Sequence, residues 1–116
     1  MELDVAIDGL AALAQETRLK AFKILVGHEP EGVAAGELAR LLKVPQNTLS
    51  THLAILARAS LVSSERQSRS IVYRANLDAV RGLVLHLLND CCNGRPELCA
   101  PLIEEILAPH SSKECC

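Results

Sequence analysis

Residues 46–59 read QNTLSTHLAILARA, and the pattern of this stretch decides the fold of the 116-residue chain. Leu49, Leu53 and Leu56 recur at i, i+4 and i+7, which predicts an α-helix with one buried face. Short amides and hydroxyls occupy much of the opposite face, where a solvent-facing helix usually has Glu and Lys. That face comprises Asn47, Ser50, Thr51, Ala54 and Arg58. A helix of this kind is a candidate DNA-recognition helix.

A second short helix is predicted immediately upstream, at residues 34–43 (AAGELARLLK). Val44 and Pro45 end it, because a proline disfavours helical backbone in the residue before it. Pro45 itself suits the first turn of the next helix. Two short helices that meet at a tight turn predict a helix-turn-helix over about residues 34–59.

Two β-prone runs follow and predict a hairpin over about residues 61–75. The strands are expected at residues 61–66 and 70–74, with a three-residue turn between them. Arg66 and Arg69 lie near the tip, where a guanidinium group can reach DNA phosphates or the minor groove. The hairpin is therefore a candidate wing.

Apolar helices are predicted on either side of these elements, at about residues 3–14 and 77–92. Their apolar surface exceeds what one thin core needs. Aromatic residues make up only 2% of the chain, so aliphatic side chains must form the core. This composition favours helix-on-helix packing and a subunit partner, and we expect a homodimer.

The remaining segments complete a single predicted domain over residues 1–116. Another helix is expected at residues 16–27, with Leu19, Phe22 and Val26 on its inner face. A last helix is expected within residues 97–108, and the end of the chain from residue 109 has no packing pattern. The predicted fold class is mainly α with a small β-hairpin wing.

Charge is distributed unevenly, although the net charge is only −2. Residues 40–81 hold seven cations and two acids, a net +5, while the other residues hold five cations and twelve acids, a net −7. A basic middle between acidic ends is typical of a local phosphate-binding surface. We find no Gly-rich phosphate loop and no nucleophile–base–acid set, so we do not expect an enzyme.

The same composition bears on the cellular compartment. No apolar run approaches the ~20 residues that a membrane span needs. The acidic start Met1-Glu2-Leu3-Asp4 is unlike a signal or transit peptide. We therefore expect a cytoplasmic protein that does not bind membranes.

Several motifs resemble the ArsR/SmtB family of small metal- and metalloid-responsive transcriptional repressors. They are ALAQETRL at residues 12–19, GELARLL at 36–42, QNTLSTHLAILARASLV at 46–62, and the hairpin end Val72-Tyr73-Arg74. The resemblance covers about residues 8–90. It implies a winged-helix homodimer, paired through its first and last helices, that binds an inverted repeat in double-stranded DNA. It also implies release from that operator when an inducer binds.

The resemblance further implies which side chains face the major groove: Gln46, Asn47, Thr48, Ser50 and Thr51. His52 lies at the edge of that face, and its alternative role is a packed histidine that is hydrogen-bonded to backbone. DNA binding itself is expected to need no cofactor.

Two departures from the family pattern affect this prediction. Pro45 stands where relatives often have a serine N-cap, so the recognition helix is expected to lack a hydroxyl cap. The best-known arsenic-responsive relatives carry Cys-Val-Cys in the first helix of the helix-turn-helix, where this chain reads Ala34-Ala35-Gly36. That sensor site is therefore absent.

All five cysteines lie near the end of the chain, at Cys91, Cys92, Cys99, Cys115 and Cys116. Their odd number and their clustering argue against a secreted disulfide scaffold. Successive helical residues are rotated by about 100°, so Cys91 and Cys92 cannot share one ion while both are helical. Asn93 and Gly94 predict the end of the helix there, and a loosened last turn lets both thiols converge.

The turn that follows brings Cys99 back over this pair, and three thiolates then form a pyramidal site. Such a site suits As(III) or Sb(III), because the lone pair of the ion fills the fourth direction, and thiolates select soft ions in general. Cys91, Cys92 and Cys99 are thus the predicted inducer site, which resembles that of a subset of the family. Cys115 and Cys116 are either accessory thiols or part of a tail.

Other uses of these thiols stay open. A redox or sulfide switch would pair Cys99 with Cys91 or Cys92, because adjacent Cα atoms lie about 3.8 Å apart, too close for an unstrained disulfide. Buried or idle cysteines are a further alternative. Zinc sensing along the last apolar helix is disfavoured, since His86 is the only histidine there. A metalloid-sequestering protein that does not bind DNA is the alternative from another class.

Overall fold

The computed structural model describes residues 1–92 and the two positions 101 and 105, with the backbone alone at residues 89–92. Apart from those two positions, the helix predicted at residues 97–108 lies outside the described residues, as does the tail at 109–116. The described part contains five α-helices and one three-stranded antiparallel sheet. Their bounds are α1 Leu3–Leu13, α2 Glu16–Gly27, β1 Val33–Ala34, α3 Ala35–Leu42, α4 Gln46–Arg58, β2 Val62–Gln67, β3 Ser70–Ala75 and α5 Leu77–Cys92.

The leucine stripe of α4 lies at the centre of the core. Leu49, Leu53 and Leu56 have no solvent exposure, and neither have Leu25 of α2 and Leu38 of α3. Burial of each such side chain contributes about 1.5–3 kcal/mol to folding. The stripe therefore holds α4 firmly against the body of the protein and leaves its opposite face outside, as predicted.

The inner face of α2 agrees with the prediction at Phe22, which is buried, and at Val26, which is half-buried, but not at Leu19. Leu19 is 43% exposed, while Ala21, Phe22 and Leu25 are buried. Apolar residues occupy more than one side of α2. The spacing of its apolar residues alone therefore did not identify the face that packs against the core.

The inner face of α1 consists of small residues. Ala6, Gly9 and Ala12 are buried, whereas Leu3 and Ile7 are 64% and 54% exposed. A Cβ atom at Gly9 would lie 3.3 Å from Cδ1 of Leu83 in α5, so there is little room for a larger residue. The close approach of α1 to α5 explains why the large apolar side chains of α1 point elsewhere.

The sheet contains one strand that the sequence pattern did not predict. Val33 of β1 pairs with Tyr73 of β3, and the strand order is β1-β3-β2. Two residues are too few to show an alternating pattern. Gly32 has a φ of 80°, and a Cβ atom there would lie 2.6 Å from the carbonyl oxygen of Tyr73. Only glycine fits this approach of the chain to β3.

The turn of the helix-turn-helix consists of Lys43, Val44 and Pro45. Lys43 adopts the left-handed conformation with φ 59°, and the Val44 N–H donates to the carbonyl of Ala39 at 3.2 Å. Pro45 is the N-cap of α4 in extended backbone, so the helix begins at Gln46 as predicted, and no side-chain hydrogen bond caps it. The missing cap agrees with the absence of a serine.

The wing is the hairpin of β2 and β3. Its turn has two residues, Ser68 and Arg69, rather than the predicted three, because Gln67 pairs with Ser70. At its base, Asn76 donates from Nδ2 to the carbonyl of Ser60 at 2.8 Å. Residue Ser60 directly follows the C-cap of α4, so this bond joins the wing to the recognition helix. Among the described residues, no helix is long and apolar enough to cross a membrane.

Candidate nucleic-acid interface

The N-terminal half of α4 presents a polar surface to solvent. Its exposed side chains are uncharged amides and hydroxyls, which the buried leucines on the other side of α4 hold facing outward. They are Gln46, Asn47, Thr48, Ser50 and Thr51. The structure therefore brings together the five side chains predicted to face the major groove. Their contact with DNA stays a prediction.

Local hydrogen bonds orient several of these groups. Ser50 Oγ donates to the carbonyl of Gln46 at 3.0 Å, and Thr51 Oγ1 donates to that of Asn47 at 3.4 Å. Asn47 Oδ1 accepts from the Thr48 N–H at 2.9 Å, which leaves its NH₂ group to donate. Hydroxyl groups bonded in this way still accept, and they can rotate to donate. The surface thus offers donors and acceptors for base edges.

His52 is less exposed than these five side chains, and its contact with DNA stays a prediction. It is half-buried, and its Nδ1 lies 3.2 Å from Nη1 of Arg18 in α2. A guanidinium group can only donate, so Nδ1 of His52 is the acceptor in this contact. The alternative interpretation of His52 as a packed histidine agrees with this environment, but its hydrogen-bond partner is the Arg18 side chain rather than backbone.

Arg58 lies apart from the other predicted DNA contacts. It is in the last turn of α4, about 16 Å along the helix axis from Asn47. It lines an open cavity of about 340 Å³ together with Asp8 and Arg18. The structure thus places it beside α1 instead of on the N-terminal polar surface.

The wing exposes two cations at its tip. Arg66 and Arg69 are exposed and make no ion pair within the part of the chain that the structure describes. Arg66 occupies β2 opposite Ile71, and Arg69 is in the turn. Both guanidinium groups are therefore free to contact phosphates, as predicted from their position near the tip.

Two other cations of the basic segment form ion pairs with acidic side chains. Arg40 is paired with Glu37, and Arg74 with Glu29. The hydrogen bond from Arg40 lowers the pKa of the Glu37 carboxyl group, and the hydrogen bond to Glu29 raises the pKa of Arg74. A charge count over residues 40–81 missed both acids, because they come earlier in the chain.

Most of the predicted inducer site lies outside the part of the chain that the structure describes. Cys91 and Cys92 belong to the last turn of α5, of which the backbone alone is described, while Cys99, Cys115 and Cys116 lie outside the described residues. In the part that is described, no three His, Cys, Asp or Glu side chains are placed to hold a metal ion. The cysteine site therefore stays a prediction.

Comparison with known proteins identifies the family. A family model described as a helix-turn-helix domain matches residues 13–65. The transcriptional activator HlyU of Vibrio cholerae is 33% identical over 81 residues, which cover 68% of this chain and 72% of HlyU. The solved structure of an ArsR-like transcriptional regulator from Rhodococcus sp. RHA1 superposes with a TM-score of 0.68 at 26% identity, covering 92% of this chain and 96% of that one. The chain belongs to the ArsR family of transcriptional regulators.

Membership of the ArsR family confirms the winged helix-turn-helix fold and the general function. The protein is a transcriptional regulator whose DNA-binding helix-turn-helix is formed by α3 and α4. Another similar structure is that of a protein described as "Possible transcriptional regulator for arsenical resistance", with a TM-score of 0.62 at 25% identity. It covers 73% of this chain and 84% of that one. The relatives are regulators rather than enzymes, in line with our expectation from the sequence.

Proposed function

We propose that this ArsR-family protein is a homodimeric repressor that leaves an inverted-repeat operator when As(III) or Sb(III) binds Cys91, Cys92 and Cys99. One observation carries the proposal. The helices α1 and α5 expose a large apolar surface, and α5 extends from that surface to Cys91 and Cys92. A ligand at these thiols would act directly on the end of a helix that forms the subunit contact.

The exposed apolar side chains of α1 and α5, here called the α1/α5 surface, support the homodimer. They are each 40–64% exposed and comprise Leu3, Val5, Ile7, Leu10, Leu77, Val84, Leu85 and Leu87. So many large apolar groups on two neighbouring helices mark an interaction site. A second copy covers them most simply, because most soluble oligomers are symmetric homodimers. Two-fold symmetry then presents two α4 helices to an inverted repeat.

The backbone of α5 determines what ligation requires. Cys91 and Cys92 are both helical, and successive helical residues are rotated by about 100°. The last turn of α5 must therefore open before both thiolates bind one ion together with Cys99. To reverse operator occupancy from 99:1 to 1:99, the ion must bind the released form about 5.5 kcal/mol more tightly. Soft ions that favour thiolates are suited to supply this difference.

Thiol redox or sulfide sensing is the second candidate function, and the same helical backbone favours it. A disulfide between Cys99 and one residue of the pair uses only one thiol of α5, so the last turn can remain helical. Oxidant would then release DNA, and arsenite would have no effect. Both candidates share the fold, the dimer and the DNA-binding surface.

A DNA-release titration distinguishes the candidates. Fluorescence anisotropy follows a labelled duplex that the reduced wild-type protein has selected from a random library. We expect arsenite to release this duplex from the wild type but not from Cys91→Ser, Cys92→Ser or Cys99→Ser. Cys115→Ser with Cys116→Ser is the matched control and should respond as the wild type does.

Three other results contradict the arsenite proposal. Release by hydrogen peroxide without any response to arsenite would establish the redox switch. A normal arsenite response of Cys91→Ser or Cys92→Ser would place the site elsewhere. Arsenic uptake by a protein that selects no duplex would indicate metalloid sequestration.

A further inference from the structure

Arg18 makes hydrogen bonds that join three helices. It is in the first turn of α2, and its Nε donates to the carbonyl of Ala12 in α1 at 2.6 Å. Its Nη1 donates to Nδ1 of His52 in α4 at 3.2 Å. Its own N–H donates to Oε1 of Gln15, the N-cap of α2, at 2.9 Å. The backbone N–H of Arg18 and its guanidinium group are thus held by separate partners.

The bond to Ala12 holds the end of α1. The last four carbonyls of a helix have no partner within the helix, and that of Ala12 is one of them. A cation at this end also interacts favourably with the helix dipole. Arg18 therefore satisfies a carbonyl of α1 that would otherwise need water, and it is fixed relative to that helix.

The bond to His52 acts on the orientation of α4. His52 lies between Thr51 on the polar surface and Leu53 in the core. The leucine stripe resists removal of α4 from the core, but apolar contacts have little directional preference. A hydrogen bond has a narrow range of distance and angle. The Arg18–His52 bond is thus suited to set the rotation of α4 about its own axis.

We propose that Arg18 is a positioning residue for DNA recognition, which acts through His52 to hold α4 in a set orientation relative to α1. Because α1 carries part of the α1/α5 surface, Arg18 would join the subunit contact to the helix that contacts bases. The inference concerns DNA recognition and does not depend on which ligand releases the DNA.

A pair of substitutions at His52 tests this role. Asparagine places an amide oxygen close to the position of Nδ1 and retains an acceptor for Arg18, whereas leucine removes the acceptor. Leucine is also the better helix former. If His52 acted only through the stability of the helix, His52→Leu would therefore bind DNA better than His52→Asn. We expect the opposite order in DNA binding: His52→Asn binds the selected duplex as the wild type does, and His52→Leu loses about tenfold in affinity.

Arg18→Met completes a double-mutant cycle. We expect it to lose about tenfold for the selected duplex, and the double variant with His52→Leu to lose no more than either single variant, because both remove the same bond. A random-sequence duplex of equal length should bind all variants alike, since its affinity comes mainly from phosphate contacts. Lys23→Met, which removes an exposed cation from the same helix, is the control and should bind both duplexes normally.

Three results of the double-mutant cycle would contradict the proposal for Arg18. Wild-type affinity of His52→Leu for the selected duplex would overturn the proposal. Fully additive losses in the double variant would show that the two residues act separately. Equal losses on both duplexes would show a general effect on folding or charge. Should Arg18→Met fail to fold, the comparison of His52→Asn with His52→Leu decides alone.

Discussion

Arg74 at the base of the wing forms a two-bonded ion pair with Glu29 in the loop between α2 and β1. The Nη2–Oε2 distance is 2.9 Å, and the Nε–Oε1 distance is 3.3 Å. The pair joins the wing to the body of the protein and neutralises the charge of Arg74. The wing cations therefore divide into one that holds the hairpin in place and two at the tip, Arg66 and Arg69, that are free to contact DNA.

This division predicts that loss of Arg66 changes the salt dependence of DNA binding and that loss of Arg74 does not. Arg66→Ala should weaken binding to any duplex and reduce the slope of log K against log salt concentration by about 0.9 for each lost phosphate contact. The double variant Glu29→Gln with Arg74→Gln keeps the net charge and should leave the slope unchanged. The measurement is a series of anisotropy titrations at increasing salt. An unchanged slope for Arg66→Ala would argue against contact between the wing and phosphates.

Asn47 should affect sequence preference rather than general affinity. Its free NH₂ group lies on the exposed polar surface of α4, where an asparagine can contact the edge of an adenine base. Asn47→Ala should cost about 1–3 kcal/mol on the selected duplex. It should leave the affinity for a random-sequence duplex unchanged. Equal weakening on both duplexes would mean that Asn47 does not contact bases.

The α1/α5 surface should be sensitive to charge. Ile7 of α1 is 54% exposed, so Ile7→Glu is accommodated in the monomer but would place a carboxylate in the subunit interface. We expect sedimentation equilibrium to show monomers for Ile7→Glu and dimers for the wild type. Leu41→Glu alters an apolar residue of α3 that is 41% exposed and lies outside this surface, so it should remain dimeric. Dimers of Ile7→Glu would refute the proposed interface.

The leucine stripe of α4 should dominate stability. Leu53 has no solvent exposure, and Leu53→Ala should lower the free energy of unfolding by about 2–5 kcal/mol. Leu41→Ala, at an exposed position, should change it by less than about 0.5 kcal/mol. Urea unfolding at one fixed protein concentration measures both, because dimerisation makes stability concentration-dependent. Similar losses for the two variants would contradict the packing described for α4.

The recognition helix could be predicted from the sequence because its two faces differ sharply in chemistry. A stripe of Leu49, Leu53 and Leu56 opposite amides and hydroxyls shows which face of the helix packs against the core. The first two helices lack this contrast: α1 buries Ala6 and Ala12 and leaves its large apolar residues exposed. Their period shows that they are helices, but the packed face depends on which elements lie beside them.

Contacts between distant parts of the chain could not be predicted in this way. Glu29 and Arg74 are 45 residues apart, and Arg18 and His52 are 34 residues apart. No periodicity relates such positions, since the packing of whole helices and strands brings them together. His52 illustrates the consequence, because no sequence pattern indicated its half-buried contact with Arg18.

Native mass spectrometry of the fully reduced protein with arsenite tests the central claim most directly. We predict a dimer that gains one arsenic atom per subunit, with the loss of three protons for each, as expected for ligation by Cys91, Cys92 and Cys99. The same dimer should bind one selected duplex before arsenite is added and none afterwards. A dimer that takes up no arsenic and keeps its duplex would contradict the account.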